Sequence, residues 1–333
     1  MRENAAAMAI LVGDIGGTKT VLATAELEGD RVRLGMQLRY PSGEFASLQD
    51  IVERFLGETG MLCTSAAFAV AGPVHADRSR ITNLPWEVDA RSLEHTSRLE
   101  SVRLLNDLEA VAWGIPALAP EDLHVLHAGE RGAAGNACVV AAGTGLGEAG
   151  MFWDGRCHRP FATEGGHTDF APSDEREYAL LRHLQARYGR HVSWERVVSG
   201  LGIGNLYEFL RTRDPARGAG GLVEGAADED VAAAVAAGAS DGRCPVCIEA
   251  MDMFASLYGR EAGNMALKHM ALGGVYLGGG IAPKNLDLLH RPLFLDAFFD
   301  KGRMAALMRR MPVKVIMEQR APLLGAARFA VEG

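Results

Sequence analysis

Leu11-Val12-Gly13-Asp14-Ile15-Gly16-Gly17-Thr18-Lys19-Thr20 (LVGDIGGTKT) is the stretch on which the reading of the fold depends. A short apolar run, Met8–Val12, meets Gly13-Asp14, and apolar sequence resumes over Thr20–Ala25. The spacing predicts two strands joined by a glycine turn. A Walker loop needs GxxxxGK[ST] ahead of a helix, and a dinucleotide fingerprint also opens a helix. This stretch leads into a strand, so it is neither. Adjacent glycines let backbone N–H groups converge on an anion, with Thr18 and Lys19 adding donors. Asp14 beside such a site reads as a ligand for Mg²⁺, held through water. A plain hairpin turn is the competing reading.

Two further glycine runs change that balance. Cys138–Ala142 is an apolar strand running into Gly143-Thr144-Gly145-Leu146-Gly147, and Val275–Leu277 runs into Gly278-Gly279-Gly280. Two phosphate-type turns and a glycine platform suited to a flat ring suggest a nucleotide held between two lobes. Both DIGGT and AGTGLG follow a strand, a hint of internal duplication.

Around these turns strands alternate with helical spacing, the pattern of an α/β protein. Strands are expected at Arg31–Tyr40, Ala66–Val70, Val102–Leu105 and Val313–Met317. Helices are expected at Ser47–Leu56, Asp174–Tyr188, Gly202–Arg211, Asp228–Ala237, Cys244–Met270 and Pro322–Val331, the last returning to the first domain. Residues 127–136 read as a linker, and Arg213–Gly225 as a mobile loop. On the long helix, Met251, Met253, Phe254, Leu257 and Tyr258 read as core, with a dimer face as the alternative.

The bulk properties narrow the function classes. The chain has 333 residues and 40 glycines, well above the usual ~7%. A net charge of −8 argues against a nucleic-acid or anionic-membrane binder, which would present a basic face. No run approaches the ~20 apolar residues that span a bilayer, and no signal peptide or N-terminal DNA-reading segment is expected. The five cysteines are scattered and odd in number, which fits a reducing cytoplasm. Cys244 and Cys247 have redox or zinc spacing, but no second pair completes four ligands, and a helix start explains them.

Asp107 follows a buried strand and Asn106, and an apolar helix follows it. A carboxylate there can accept a hydroxyl proton in phosphoryl transfer, or cap the helix. Glu164-Gly165-Gly166-His167-Thr168-Asp169 packs four polar side chains into six positions. It reads as a metal site, an acid/base pair, a turn, or a cradle for a polar ligand.

LVGDIGGTKT, LLNDLEAVAWGIP, AAGTGLGEAG, EGGHTDFAP, ERVVSGLGIGNLY and LGGGIAPKN occur together in the order and spacing of the bacterial glucokinases, which the chain resembles from about Ala9 to Ala330. The resemblance implies a two-domain ribonuclease H-like (actin-like ATPase) α/β fold, with a small domain (9–116 plus 318–333), a larger helix-rich domain (117–317) and the active site in the cleft. It implies transfer of the γ-phosphoryl group of ATP, with Mg²⁺, to the 6-hydroxyl of glucose. Gly13, Asp14, Ile15, Gly16, Gly17 and Thr18 resemble the first ATP phosphate loop. Gly143, Thr144 and Gly145 resemble the second, and Gly278, Gly279 and Gly280 the adenosine loop. Asp107 matches the catalytic base. Asn106, Glu164, His167, Glu195 and Asn83 match sugar contacts, which turns EGGH into the cradle. A homodimer is implied in the same way. Lys19-Thr20 is closer to the ROK sugar kinases, leaving polyphosphate or ADP as alternative donors. No zinc-binding cysteine cluster follows EGGH, unlike most ROK proteins. A kinase for another hexose, a non-catalytic sugar sensor and a metal-dependent hydrolase are the competing functions.

Overall fold

The computed structural model describes residues 9–28, 31–213, 223 and 230–333. Two compact units form. One runs to Asp122 and takes back Glu318–Gly333; the other is Leu123–Met317.

The first unit is built on β1 (Ala9–Ile15), β2 (Lys19–Glu28), β3 (Arg31–Pro41), α1 (Leu48–Thr59), β4 (Cys63–Val70), a small sheet of β5 (Val74–His75), β6 (Arg78–Arg80) and β7 (Glu87–Asp89), then α2 (Ala90–Ser97), β8 (Ser101–Asn106) and α3 (Asp107–Gly114). Its main sheet has the order β3-β2-β1-β4-β8. The first three strands are antiparallel, and β1, β4 and β8 are parallel. The hairpin of the opening stretch is present, but β1 does not stop at Gly13-Asp14. Both residues remain paired, Gly13 between Leu22 and Phe68, Asp14 between Val21 and Ala69. Gly13 is there for packing: a β-carbon would lie 2.7 Å from both the Leu22 and Phe68 side chains.

Strand alternation sorts β1 between two cores. Leu11 and Ile15 face Ile51, Phe55 and Leu93, on α1 and α2. Ile10 and Val12 face Ala110 and Trp113 of α3 and Leu323 near the C-terminus. Ser47 caps α1 by accepting from Asp50 N, and Gly60 ends it in a left-handed turn at φ 64°.

The second unit comprises β9 (Leu123–His127), β10 (Ala137–Ala142), β11 (Leu146–Trp153), β12 (His158–Thr163), α4 (Glu175–Tyr188), α5 (Gly200–Arg213), α6 (Val231–Ser240), α7 (Pro245–His269), β13 (Gly274–Gly278), α8 (Leu286–Leu289), α9 (Pro292–Phe299), α10 (Ala305–Met308) and β14 (Val313–Ile316). Its sheet is β12-β11-β10-β13-β14-β9. The first five strands repeat the pattern of the first unit, three antiparallel strands continued by two parallel ones. The duplication hinted at by the two glycine turns is therefore one of topology.

Residues 127–136 are not a linker between units. β9 pairs with β14, and Glu130 N donates to Arg310 O, which ties the segment into the second unit. Met251, Met253, Phe254, Leu257 and Tyr258 of α7 are buried core, and the Tyr258 hydroxyl donates to Val140 O at 2.9 Å. Most of the expected loop Arg213–Gly225, and the first two residues of the helix expected at 228–237, lie outside the described residues. The last helix, α11 (Ala321–Glu332), packs on α3 in the first unit.

Candidate active site

Each unit carries its own group of candidate residues, and in each it lies at the carboxyl ends of parallel strands, where open α/β sheets bind ligands. In the first unit Ile15 pairs with Val70, and Val70 with Asn106, so three strands end level. The glycine turn and Asp107 thus leave the same sheet edge two strands apart, roughly 10 Å.

The turn is held from both sides. Gly16 N donates to Lys19 O at 3.0 Å. Ser42, fully buried, donates through Oγ to Gly16 O at 2.8 Å, while its N–H reaches Thr18 O. Sequence reasoning missed Ser42, because it follows β3, far from the loop in sequence. Gly17 packs on the Thr82 carbonyl and the Asn83 β-carbon, and Asn83 itself adopts φ 66°. Thr18 and Lys19 are exposed, so their donors face outward. Burial pushes the Asp14 carboxyl up, and the Lys19 ammonium partly opposes this. A desolvated carboxylate beside a single ammonium fits a cation shared with phosphate oxygens, since Mg²⁺ uses one or two carboxylates and keeps most of its water.

At the other strand end the capping is done by Asn106. Its Oδ1 accepts from Leu108 N at 3.0 Å and Glu109 N at 3.3 Å, and its Nδ2 donates to Gly72 O. One amide N–H of Asn106 is left for a ligand. Asp107 is the first residue of α3, half-buried, with Oδ1 accepting from Leu108 N at 2.9 Å. The positive end of the helix favours its anion.

In the second unit β10 and β13 are adjacent and parallel, with Ala141 opposite Gly278. This brings the second and third glycine runs together. Gly279 takes φ 76°, and a β-carbon there would lie 2.3 Å from Ala142 O, just before Gly143. Gly143 N donates to Gly145 O, and Gly143 O accepts from Gly200 N at 2.7 Å, placing the start of α5 beside Thr144. Glu195 joins this group: its Oε2 accepts from Leu146 N at 3.1 Å.

Glu164, His167 and Glu195 are drawn together by backbone pairing. Phe170 N donates to Val192 O and Trp194 N to Thr168 O, so the residues after EGGH run beside those leading to Glu195. His167 Nε2 lies 3.8 Å from Glu164 Oε2, both side chains being exposed at 58% and 63%. Thr168 Oγ1 donates to Gly165 O, and Asp169 pairs with His191 at 2.8 Å. These two residues shape the turn. Gly166 lets it approach β11, since a β-carbon would lie 2.1 Å from Leu146 O. Overpacking of this kind costs ~1–3 kcal/mol, so Gly166→Ala is expected to destabilise the protein by about that amount. Denaturant unfolding of the variant checks this; an unchanged midpoint would mean that the turn can move away from β11 without cost.

Among the described residues no group of three or more His, Cys, Asp or Glu side chains is arranged to hold a metal. EGGHTD therefore does not supply the ligand set of a metal-dependent hydrolase. Cys244 caps α7 and its Sγ accepts from Cys247 N; burial pushes the Cys247 thiol up to about 12, which makes it unreactive.

Comparison with known proteins places the chain beside known sugar kinases. A family model described as Glucokinase matches residues 11–332. A glucokinase of Synechocystis sp. is 39% identical, with 97% of this chain and 98% of that protein covered. The crystal structure of a glucokinase from an Antarctic psychrotroph superposes with a TM-score of 0.85 at 30% identity, covering 98% of this chain and 99% of that one. A ROK-family glucokinase from Streptomyces griseus, solved in complex with glucose and AMPPNP, shares the fold at TM-score 0.63 and 20% identity, covering 98% of this chain and 100% of that one.

Proposed function

Because the chain belongs to the glucokinase family, we propose that it transfers the γ-phosphoryl group of ATP to the 6-hydroxyl of D-glucose. The observation that carries the mechanism is Asp107 at the start of α3, at the same sheet edge as the DIGGT turn. Asp107 takes the 6-hydroxyl proton as the oxygen attacks the γ-phosphorus and ADP leaves. Glu164, His167, Glu195, Asn83 and the remaining Asn106 amide N–H pair the other sugar hydroxyls. Such pairing discriminates, because a sugar lacking a partner leaves a polar group unsatisfied. Gly17 and Thr18, with Thr144 and Gly145, offer N–H groups to phosphates, while Gly16 and Gly143 use theirs to hold the two turns in shape, and Gly279 and Gly280 lie against adenosine.

Magnesium bound with the nucleotide supplies charge neutralisation on the phosphates, and Asp14 would hold it through water. The AMPPNP complex of the Streptomyces griseus protein supports ATP as donor. A cytoplasmic location fits five cysteines that are all free, and no single helix among the described residues is long and apolar enough to cross a membrane. A homodimer belongs to the same reading, tested by sedimentation of the pure protein.

The deciding experiment compares ADP release with glucose and with 6-deoxyglucose. Glucose is expected to drive turnover and the 6-deoxy sugar to give only background. Equal rates with both would mean that water or another hydroxyl is the acceptor, and would sink the assignment.

A further inference from the structure

Beneath the EGGH turn lies a carboxyl group with no role so far. Glu148 sits in β11 opposite Val140 of β10 and Thr163 of β12, with its side chain almost wholly buried. Its Oε2 lies 1.8 Å from the point that a β-carbon on Gly165 would occupy, so the carboxyl rests directly against the backbone of the turn. The attachment continues through the main chain. Thr163 Oγ1 donates to Glu148 O at 3.0 Å, and Gly165 N donates to that same Thr163 Oγ1.

Taken as a carboxylate, neither oxygen of Glu148 meets a donor among the described residues. The group facing it is a second buried acid, Glu261 of α7. Two facing acids in a dry interior cannot both ionise, and they settle by holding one proton between them. The surroundings decide which partner keeps it. Burial pushes Glu261 up as well, but Glu261 has the cationic and donor support that opposes it: Asn264 Nδ2 donates to it at 2.8 Å, Lys268 lies 3.8 Å away, and Lys301 also acts on it. Burial and the Glu261 charge push Glu148 up to about 8, with Lys268 opposing. Cys138 and Tyr258 are the other titratable groups against it, and burial holds both neutral. The proton therefore belongs to Glu148 and the charge to Glu261.

We propose that Glu148 is a positioning residue for the sugar-binding turn, resting on the function proposed above. Uncharged, it packs flush beneath Gly165 and fixes the angle at which Glu164 and His167 meet the sugar. Ionised, it is repelled by Glu261 and pushes the turn out of place.

The test measures glucose affinity by calorimetry, and KM and kcat, from about pH 6 to about pH 9 for the wild type and Glu148→Gln, an uncharged isostere. In the wild type, glucose affinity and KM are expected to weaken about fivefold or more as pH passes about 8, with the KM for ATP unmoved. Glu148→Gln is expected to hold its glucose KM flat across the range. A second readout needs no activity. The ordinary value of the carboxyl is 4.5 and the folded value is raised, so the folded protein alone keeps the proton between 4.5 and about 8. Wild-type stability falls across that window, and the Tm advantage of Glu148→Gln over wild type grows through it. Superimposable KM profiles, or a Tm gap that does not change with pH, overturn the proposal. Wild-type protein that neither binds nor phosphorylates glucose at any pH would instead fail the function reading, and this proposal with it.

Discussion

Asp107→Asn is expected to lower turnover by roughly 10²–10⁴-fold while glucose affinity stays within about threefold of wild type. Asp107 is the first residue of α3, and its Oδ1 accepts from Leu108 N. An amide oxygen makes that hydrogen bond equally well, and the cap itself belongs to Asn106. The substitution therefore keeps that hydrogen bond and the Asn106 cap and removes the carboxylate that takes the proton. Because the proton moves in the transition state, kcat and kcat/KM should fall together. Asp107→Ala should show the same loss with a small added cost in stability. Turnover of either variant near the wild-type rate would show that another group is the base.

Gly325→Ala is expected to destabilise the protein by about 3 kcal/mol, the upper end for overpacking a fixed interior. By helix propensity alone the substitution should stabilise by ~1 kcal/mol. Packing reverses the sign. A β-carbon on Gly325 would lie 1.7 Å from Ala110 O, and one on Gly114 would lie 2.2 Å from Ala321 O. α3 and α11 cross there on backbone, which cannot move aside as a side chain could. Gly57 in α1 is the matched control, since a β-carbon there meets nothing within 4 Å. Gly57→Ala should leave the protein as stable or slightly more so, whereas Gly325→Ala should lower Tm by roughly 4 °C. Because α3 begins with Asp107, loss of α11 packing should also reduce activity. A Gly325→Ala melting point at or above wild type would show that the helices can separate without cost.

Much of the site was legible because its residues sit in local patterns. A strand that runs into adjacent glycines declares its turn within six residues, and a turn follows each of the three strands, the first confined to Gly16, Gly17 and Thr18. The order of motifs carried the family, which no single motif could. Asn106 and Asp107 were harder: cap and base use the same residue types, and only the hydrogen bonds of α3 show that Asn106 is the cap. Gly13 was misleading, since a glycine that reads as a turn is a packing residue inside β1.

The residues that the sequence did not mark act across long separations. Ser42 braces Gly16, Glu148 lies under Gly165, and Gly325 meets Ala110. Each is an ordinary residue in its own neighbourhood and becomes specific only where a distant segment arrives. Periodicity, turn chemistry and motif spacing are local properties of the chain, so the alternation of strand and helix, the glycine turns and the kinase family can be read from it directly. Which residues support the turns, where α11 docks and how two acids come to face each other in the interior follow only from the folded chain. Those outcomes depend on close packing and desolvation, and both arise only when segments far apart in the chain come into contact.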